Sequence, residues 1–145
     1  MNMLLVSNGT LAESLIESMH NFFSKPDIRS ICFQYGNTGA ARTELKQYFS
    51  ERLTTKDKSF IILCDMFGNT AFNETILLLH ELGIQKQALI ICGMNLPMVF
   101  KLYGLKDYSN IELCRSIYEQ SEDRGIILCN PAEFLEQVHG EMDCG

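Results

Sequence analysis

Leu4-Leu5-Val6-Ser7-Asn8-Gly9-Thr10-Leu11-Ala12-Glu13 is the stretch whose reading decides the fold. Its uninterrupted apolar start reads as a strand of a parallel sheet, buried on both faces. Gly9 permits a sharp turn, and the residues after it open an amphipathic helix. In an open α/β sheet, the turn at the carboxyl end of such a strand is where ligands are held. The polar group Ser7-Asn8-Gly9-Thr10 therefore becomes the first place to look for chemistry.

Working outward, strand and helix patterns alternate to the end of the chain. Short β-rich runs fall at residues 3–6, 28–33, 60–64, 89–92 and 126–129. The first helical pattern places Leu11, Leu15, Met19, Phe22 and Phe23 on one stripe. A second, over residues 38–53, turns Leu45, Tyr48, Phe49 and Leu53 inward. A third, over residues 69–82, carries Phe72, Ile76, Leu79 and Leu82 and ends at Gly83, a C-terminal cap. Helices are also expected at residues 96–103 and 110–121, and from Pro131 towards Val138. This alternation predicts an α/β fold: a single three-layer domain with a mainly parallel sheet of about five strands and helices on both faces. Residues 1–138 form the domain and residues 139–145 a flexible tail. The fifth strand follows two helices, so its position and direction stay open.

Composition narrows the function. At 145 residues the chain fits one domain, and 46% hydrophobic residues can fill its core. No run approaches the ~20 apolar residues of a membrane span. No basic region precedes the first apolar run, which argues against a signal peptide, so a soluble cytoplasmic protein is expected. The net charge of -6 offers no basic stripe and argues against nucleic acid as a partner. The six cysteines (Cys32, Cys64, Cys92, Cys114, Cys129, Cys144) form no Cys-x-x-Cys pair and match no structural zinc spacing. Cys32, Cys64, Cys92 and Cys129 end apolar runs and read as small buried hydrophobes. No metal and no cofactor is expected.

Two further strand-end turns share the sheet edge with the first. Cys64-Asp65-Met66-Phe67-Gly68-Asn69-Thr70-Ala71-Phe72-Asn73 puts a carboxylate at the end of a buried strand, where it must be paired or hydrogen-bonded. Asp65 is thus the strongest single candidate, with capping of the next helix through the N–H of Gly68 or Asn69 as its purely structural role. Gly93-Met94-Asn95-Leu96-Pro97 is the third turn, with Pro97 suited to the first turn of a helix. The three predict one crevice of anion-binding character. Gly36-Asn37-Thr38-Gly39 has the small residues of a phosphate cradle, but it follows the second strand rather than the first and reads as a turn with Thr38 capping the second helix. His20, His80 and His139 lie far from these turns and read as surface residues.

At these three turns the chain resembles the IIA component of the mannose family of the sugar phosphotransferase system (PTS). The resemblance rests on residues 5–15, on Asp65 through Asn73, and on Gly93-Met94-Asn95-Leu96-Pro97-Met98. The family reads Ser-His-Gly, Asp-Leu-Phe-Gly-Gly-Thr-Pro and Gly-Val-Asn-Leu-Pro-Met there. Agreement in order and spacing covers about the first hundred residues and weakens after Tyr103. The resemblance implies a phosphocarrier that accepts a phosphoryl group from HPr on a histidine and passes it to a IIB protein. The membrane IIC and IID proteins are reached only indirectly. It also implies a homodimer with the last strand, residues 126–129, exchanged between subunits.

By the same resemblance Asp65 corresponds to the orienting carboxylate, and Gly9, Gly68, Asn69, Thr70 and Asn95 to the phosphoryl pocket. Asn8 stands at the phosphohistidine position, and an amide is not a nucleophile that can carry a labile phosphoryl group. The second glycine of Gly-Gly-Thr-Pro is Asn69, and its proline is Ala71. A phosphotransfer-deficient family member with a binding or regulatory role is therefore expected, its side-chain amide at Asn8 hydrogen-bonded to Asp65. Whether it counts as an enzyme stays open. The alternatives are transfer through another acceptor, with Asp65 forming an acyl phosphate, and a natural histidine at position 8 that this sequence lacks.

Overall fold

The computed structural model describes residues 1–119 and 126–143. Five strands form one sheet: β1 (Asn2–Asn8), β2 (Arg29–Phe33), β3 (Phe60–Cys64), β4 (Ala88–Cys92) and β5 (Ile127–Cys129). Their order is β2-β1-β3-β4-β5, with the first four parallel and β5 antiparallel to β4. The helices are α1 (Leu11–Met19), α2 (Thr38–Arg52), α3 (Thr70–Glu81), α4 (Leu96–Leu105), α5 (Ile111–Glu119) and α6 (Pro131–Asp143). The open α/β class is as expected. The direction left open for the last strand is resolved, since β5 pairs with β4 of its own chain at the sheet edge.

Strand alternation builds two cores, one on each face of the sheet. Leu4, Val6, Ile62, Cys64, Ile90 and Cys92 face one way with Leu45, Phe49, Phe72 and Leu79 of α2 and α3. Met3, Leu5, Ile61, Leu63, Leu89 and Ile91 face the other way with Met19, Val99, Leu102 and Cys114. The strands are therefore apolar without a break because both faces need filling. At the end of α3, Gly83 takes φ +68° while Gly83 N bonds His80 O at 3.0 Å and Ile84 N bonds Leu79 O at 2.9 Å. These two bonds make a Schellman cap, the role expected of this glycine.

Some expectations need correction. Leu11 and Phe22 do not belong to a buried stripe: α1 ends at Met19, Phe22 lies beyond it, and both side chains are exposed. Ala12 and Met19 form the buried face instead. Thr38 does not cap α2; it is the first helical residue, after Asn37, and no side chain caps that helix. Helix α6 continues to Asp143, so residues expected as tail are helical as far as that point. Cys64, Cys92 and Cys129 are buried and free as expected, whereas Cys32 is only partly buried. Part of the helix expected at residues 110–121, and Cys144, lie outside the described residues. Among those residues no helix is long and apolar enough to cross a membrane.

Candidate functional site

The order β2-β1-β3 makes the chain leave β1 in one direction and return past it in the other. The crevice outside the carboxyl ends of β1 and β3 is the topological switch point of such a sheet. Asn8 ends β1 there, and Asp65 directly follows β3. The first turn is held by Ser7, which is fully buried. Its Oγ donates to Gly9 O at 2.8 Å and accepts from Ala12 N at 2.9 Å, which satisfies one of the free N–H groups of α1. Gly9 takes φ +73°, a conformation open to glycine and strained for other residues.

Asp65 is held by three hydrogen bonds. Its Oδ2 accepts from the backbone N–H of Asn8 at 3.0 Å. Its Oδ1 accepts from Met66 N at 2.9 Å and from the Asn69 side-chain amide at 2.8 Å. The carboxylate thus ties the β1 turn to the β3 turn. It caps neither Gly68 nor Asn69 through a backbone N–H, contrary to the capping role read from sequence. The contact with Asn8 also differs from expectation: the backbone of Asn8 meets Asp65, and its side chain points elsewhere.

That side chain goes to the start of α3, where Asn8 Oδ1 accepts from Ala71 N at 3.0 Å. Asn69 is the N-cap of the same helix, with its Oδ1 accepting from Phe72 N at 3.0 Å. The two asparagines therefore occupy adjacent first-turn N–H groups of α3, the groups a helix N-terminus otherwise offers to an anion. Asn69 also donates, through Nδ2, to Asp65 Oδ1.

Asn8, Gly9 and Thr70 line a cavity of about 510 Å³. Gly68, Asn69 and Asn95 do not line it. Asn95 is the N-cap of α4, with its Oδ1 accepting from Met98 N at 3.0 Å, and Pro97 sits in that helix's first turn as expected. The Gly93 turn reaches the site only through backbone, Gly93 N to Asp65 O at 3.2 Å and Met94 N to Cys64 O at 3.0 Å. The far wall of the cavity comes from the turn after β2: Gln34, Tyr35, Gly36 and Thr38, with Phe33. Sequence reading dismissed this segment as a plain turn. The Gly-Asn-Thr-Gly signal was visible, but only the pairing of β2 beside β1 brings it to Asn8.

The lining carries no charged side chain. Apolar side chains stand exposed around the same edge: Tyr35 at the tip of its turn, Met66, Phe67 and Leu11. Beneath it, Cys64 and Cys92 are register partners across β3 and β4. The Cys92 thiol and burial hold the Cys64 thiol well above its ordinary range, and burial pushes Cys129 up to about 12. Thiols in that state are not nucleophiles at neutral pH. Among the described residues no group of His, Cys, Asp or Glu could hold a metal ion.

An open, mainly parallel sheet with helices on both faces and a crevice at its switch point defines a doubly wound α/β protein. Comparison with known proteins is more specific. A family model described as the PTS system fructose IIA component, of mannose type, matches residues 2–117, and the chain belongs to that family. Among solved structures, the PTS IIA protein associated with the fucose utilization operon from Streptococcus pneumoniae superposes with a TM-score of 0.68. It is 20% identical and covers 85% of this chain and 91% of its own. The mannose/sorbose specific IIA subunit from Enterococcus faecalis gives 0.67 at 17% identity, covering 82% and 86%. The phosphotransferase system component EIIA from Streptococcus agalactiae gives 0.63 at 18% identity, covering 79% and 86%. At these identities the structures share the fold. No curated protein sequence matches significantly.

Proposed function

We propose that this chain is a cytoplasmic, homodimeric IIA-type protein that docks HPr-like and IIB-type PTS proteins without carrying a phosphoryl group. The observation that carries the reading is the hydrogen bond from Ala71 N to Asn8 Oδ1. An amide oxygen sits where a helix N-terminus would receive a phosphoryl oxygen, and the residue supplying it cannot be phosphorylated. Asn69 completes the closure by engaging Asp65 and the next N–H of α3.

Phosphoryl transfer through Asp65 is disfavoured by the same contacts. The hydrogen bonds to both of its oxygens draw off charge and lower their reactivity towards phosphorus, and no metal-binding acidic cluster stands beside it among the described residues. Binding, in contrast, is supported by the exposed Tyr35, Met66, Phe67 and Leu11, since exposed aromatic and methionine side chains are typical anchors of protein interfaces. The docked surface would resemble that of a loaded carrier, because the α3 N-terminus already holds an oxygen acceptor.

Intact-mass spectrometry after incubation with phosphoenolpyruvate, enzyme I and HPr tests the reading. The expected spectrum shows the unmodified mass while HPr itself becomes phosphorylated. A gain of one phosphoryl group would overturn the proposal. Binding is read separately by titrating labelled HPr and a IIB protein, where loss of affinity in a Met66→Ala, Phe67→Ala variant is expected.

A further inference from the structure

Asn8-Gly9 is the one Asn-Gly step in the chain. An asparagine side chain closes a five-membered ring onto the next backbone nitrogen fastest when glycine follows, because no side chain crowds the attack. In this structure both partners of that reaction are prepared. Asn8 is exposed, and its Oδ1 accepts from Ala71 N, the second residue of α3, at 3.0 Å. A donor at a helix N-terminus polarises the amide carbon and steadies the oxyanion that forms on attack. A Cβ at Gly9 would meet no heavy atom within 4 Å, and the φ of +73° there suits glycine. The cavity of about 510 Å³ beside both residues admits water.

One contact holds the reaction back. Gly9 N, the nitrogen that must attack, donates to Phe33 O at 2.9 Å. This is the last rung between β1 and β2, just past the final register pair of Asn8 with Phe33, and β2 is an edge strand. Terminal rungs open locally far more often than a sheet unfolds. We propose that Asn8 is a spontaneous modification site, deamidated through Gly9 at a rate set by fraying of this rung. When the rung opens, Gly9 N gives its proton to hydroxide and its lone pair forms a bond to Asn8 Cγ. The Cγ–Nδ2 bond then breaks, and the nitrogen leaves as ammonia with a proton from water. Water adds to either carbonyl of the resulting succinimide and opens the ring, leaving aspartate or isoaspartate at position 8. The net change is one water taken up and one ammonia released. Either product brings a negative charge to a cavity whose lining has none, close to the carboxylate of Asp65. Isoaspartate also adds a backbone carbon at the end of β1, out of register with Phe33. The step needs no partner protein and stands apart from docking.

Incubation of the folded protein at neutral pH in water enriched in heavy oxygen, followed by peptide mass spectrometry that resolves isoaspartate, tests the site. Expected is progressive conversion at residue 8 to both products, each holding one oxygen from the solvent, while Asn69 and Asn95 stay intact. The Asn8→Asp variant supplies the reference for the aspartate peptide. Raising the pH should speed conversion, since Gly9 N must lose its proton. In urea, with the rung gone, conversion should run at least about tenfold faster, the weight of one backbone hydrogen bond. Asn8→Gln, whose longer side chain closes a larger and slower ring, should show no conversion over the same time, with circular dichroism checking that it is folded. An Asn8 that stays intact in the folded protein over many half-lives of the urea sample would overturn the proposal. So would equal rates in the two samples, or equal conversion at Asn69.

Discussion

At the carboxyl-terminal edge of the sheet the polar groups answer one another. Asp65 is met by Asn8 N, Met66 N and Asn69 Nδ2, and the first N–H groups of α3 are met by Asn8 and Asn69. At the amino-terminal edge, Lys56, Lys58 and Lys86 face a cavity with no carboxylate partner among the described residues. The first edge carries the family's motifs and has its donors and acceptors spent internally. The second carries no motif, and its three lysines have no carboxylate partner among the described residues. Resemblance therefore identifies where chemistry is held in this family, while hydrogen-bond accounting shows which groups remain available in this chain.

The comparison can be broken most sharply by reopening the first edge. Asn8→His alone restores an imidazole but leaves Asn69 on Asp65 Oδ1, so little phosphoryl uptake from HPr is expected. Asn8→His with Asn69→Gly frees that oxygen to orient the ring. The double variant should take up phosphate about tenfold faster than the single one, the worth of one carboxylate–imidazole hydrogen bond. Equal rates in time-resolved mass spectra would show that Asn69 does not close the site.

Stability measurements sharpen the contrast next. Asp65→Ala removes an acceptor from three partners and should cost about 2–3 kcal/mol in urea unfolding. Asn69→Ala, which loses the α3 cap, should cost about 1 kcal/mol. Lys58→Gln at the other edge should stay within about 0.5 kcal/mol. A costly Lys58→Gln would mean that this lysine is structural.

The smallest effect expected is a pH dependence at Asp57. The Met1 amino group and the Ser59 hydroxyl hold its carboxyl down to about 2, from 3.8. A depressed folded-state value makes the contribution fully present above about pH 4 and lost as pH falls towards 2. The melting-temperature difference between the protein and Asp57→Asn should therefore be constant from about pH 4 to neutral pH and shrink below that range. A difference that persists at pH 2 would contradict the assignment.

Much of the fold was legible because its causes are local. Unbroken apolar runs such as Phe60-Ile61-Ile62-Leu63-Cys64 demand burial on two faces, and Gly83 marks a helix end wherever it packs. The positions of Asn8 and Asp65 at strand ends followed from the same patterns. Leu11 and Phe22 misled because helical spacing cannot tell where a helix stops or how far its first residue projects beyond the sheet. Thr38 misled because a cap depends on which residue turns out of the helix.

By itself, then, the sequence determined the layered α/β class, the three turns at one edge, and the absence of a histidine at position 8. Only the tertiary structure decided what those turns do to each other. Side-chain hydrogen bonds between residues 57 or 63 positions apart, such as Asn8 to Asp65 and Ala71, depend on strand order and register, which no local pattern encodes. The same reason hid the Tyr35 turn beside Asn8 and the lysines gathered from two separate loops. Geometry across the sheet converts residue types into available or spent hydrogen-bonding groups.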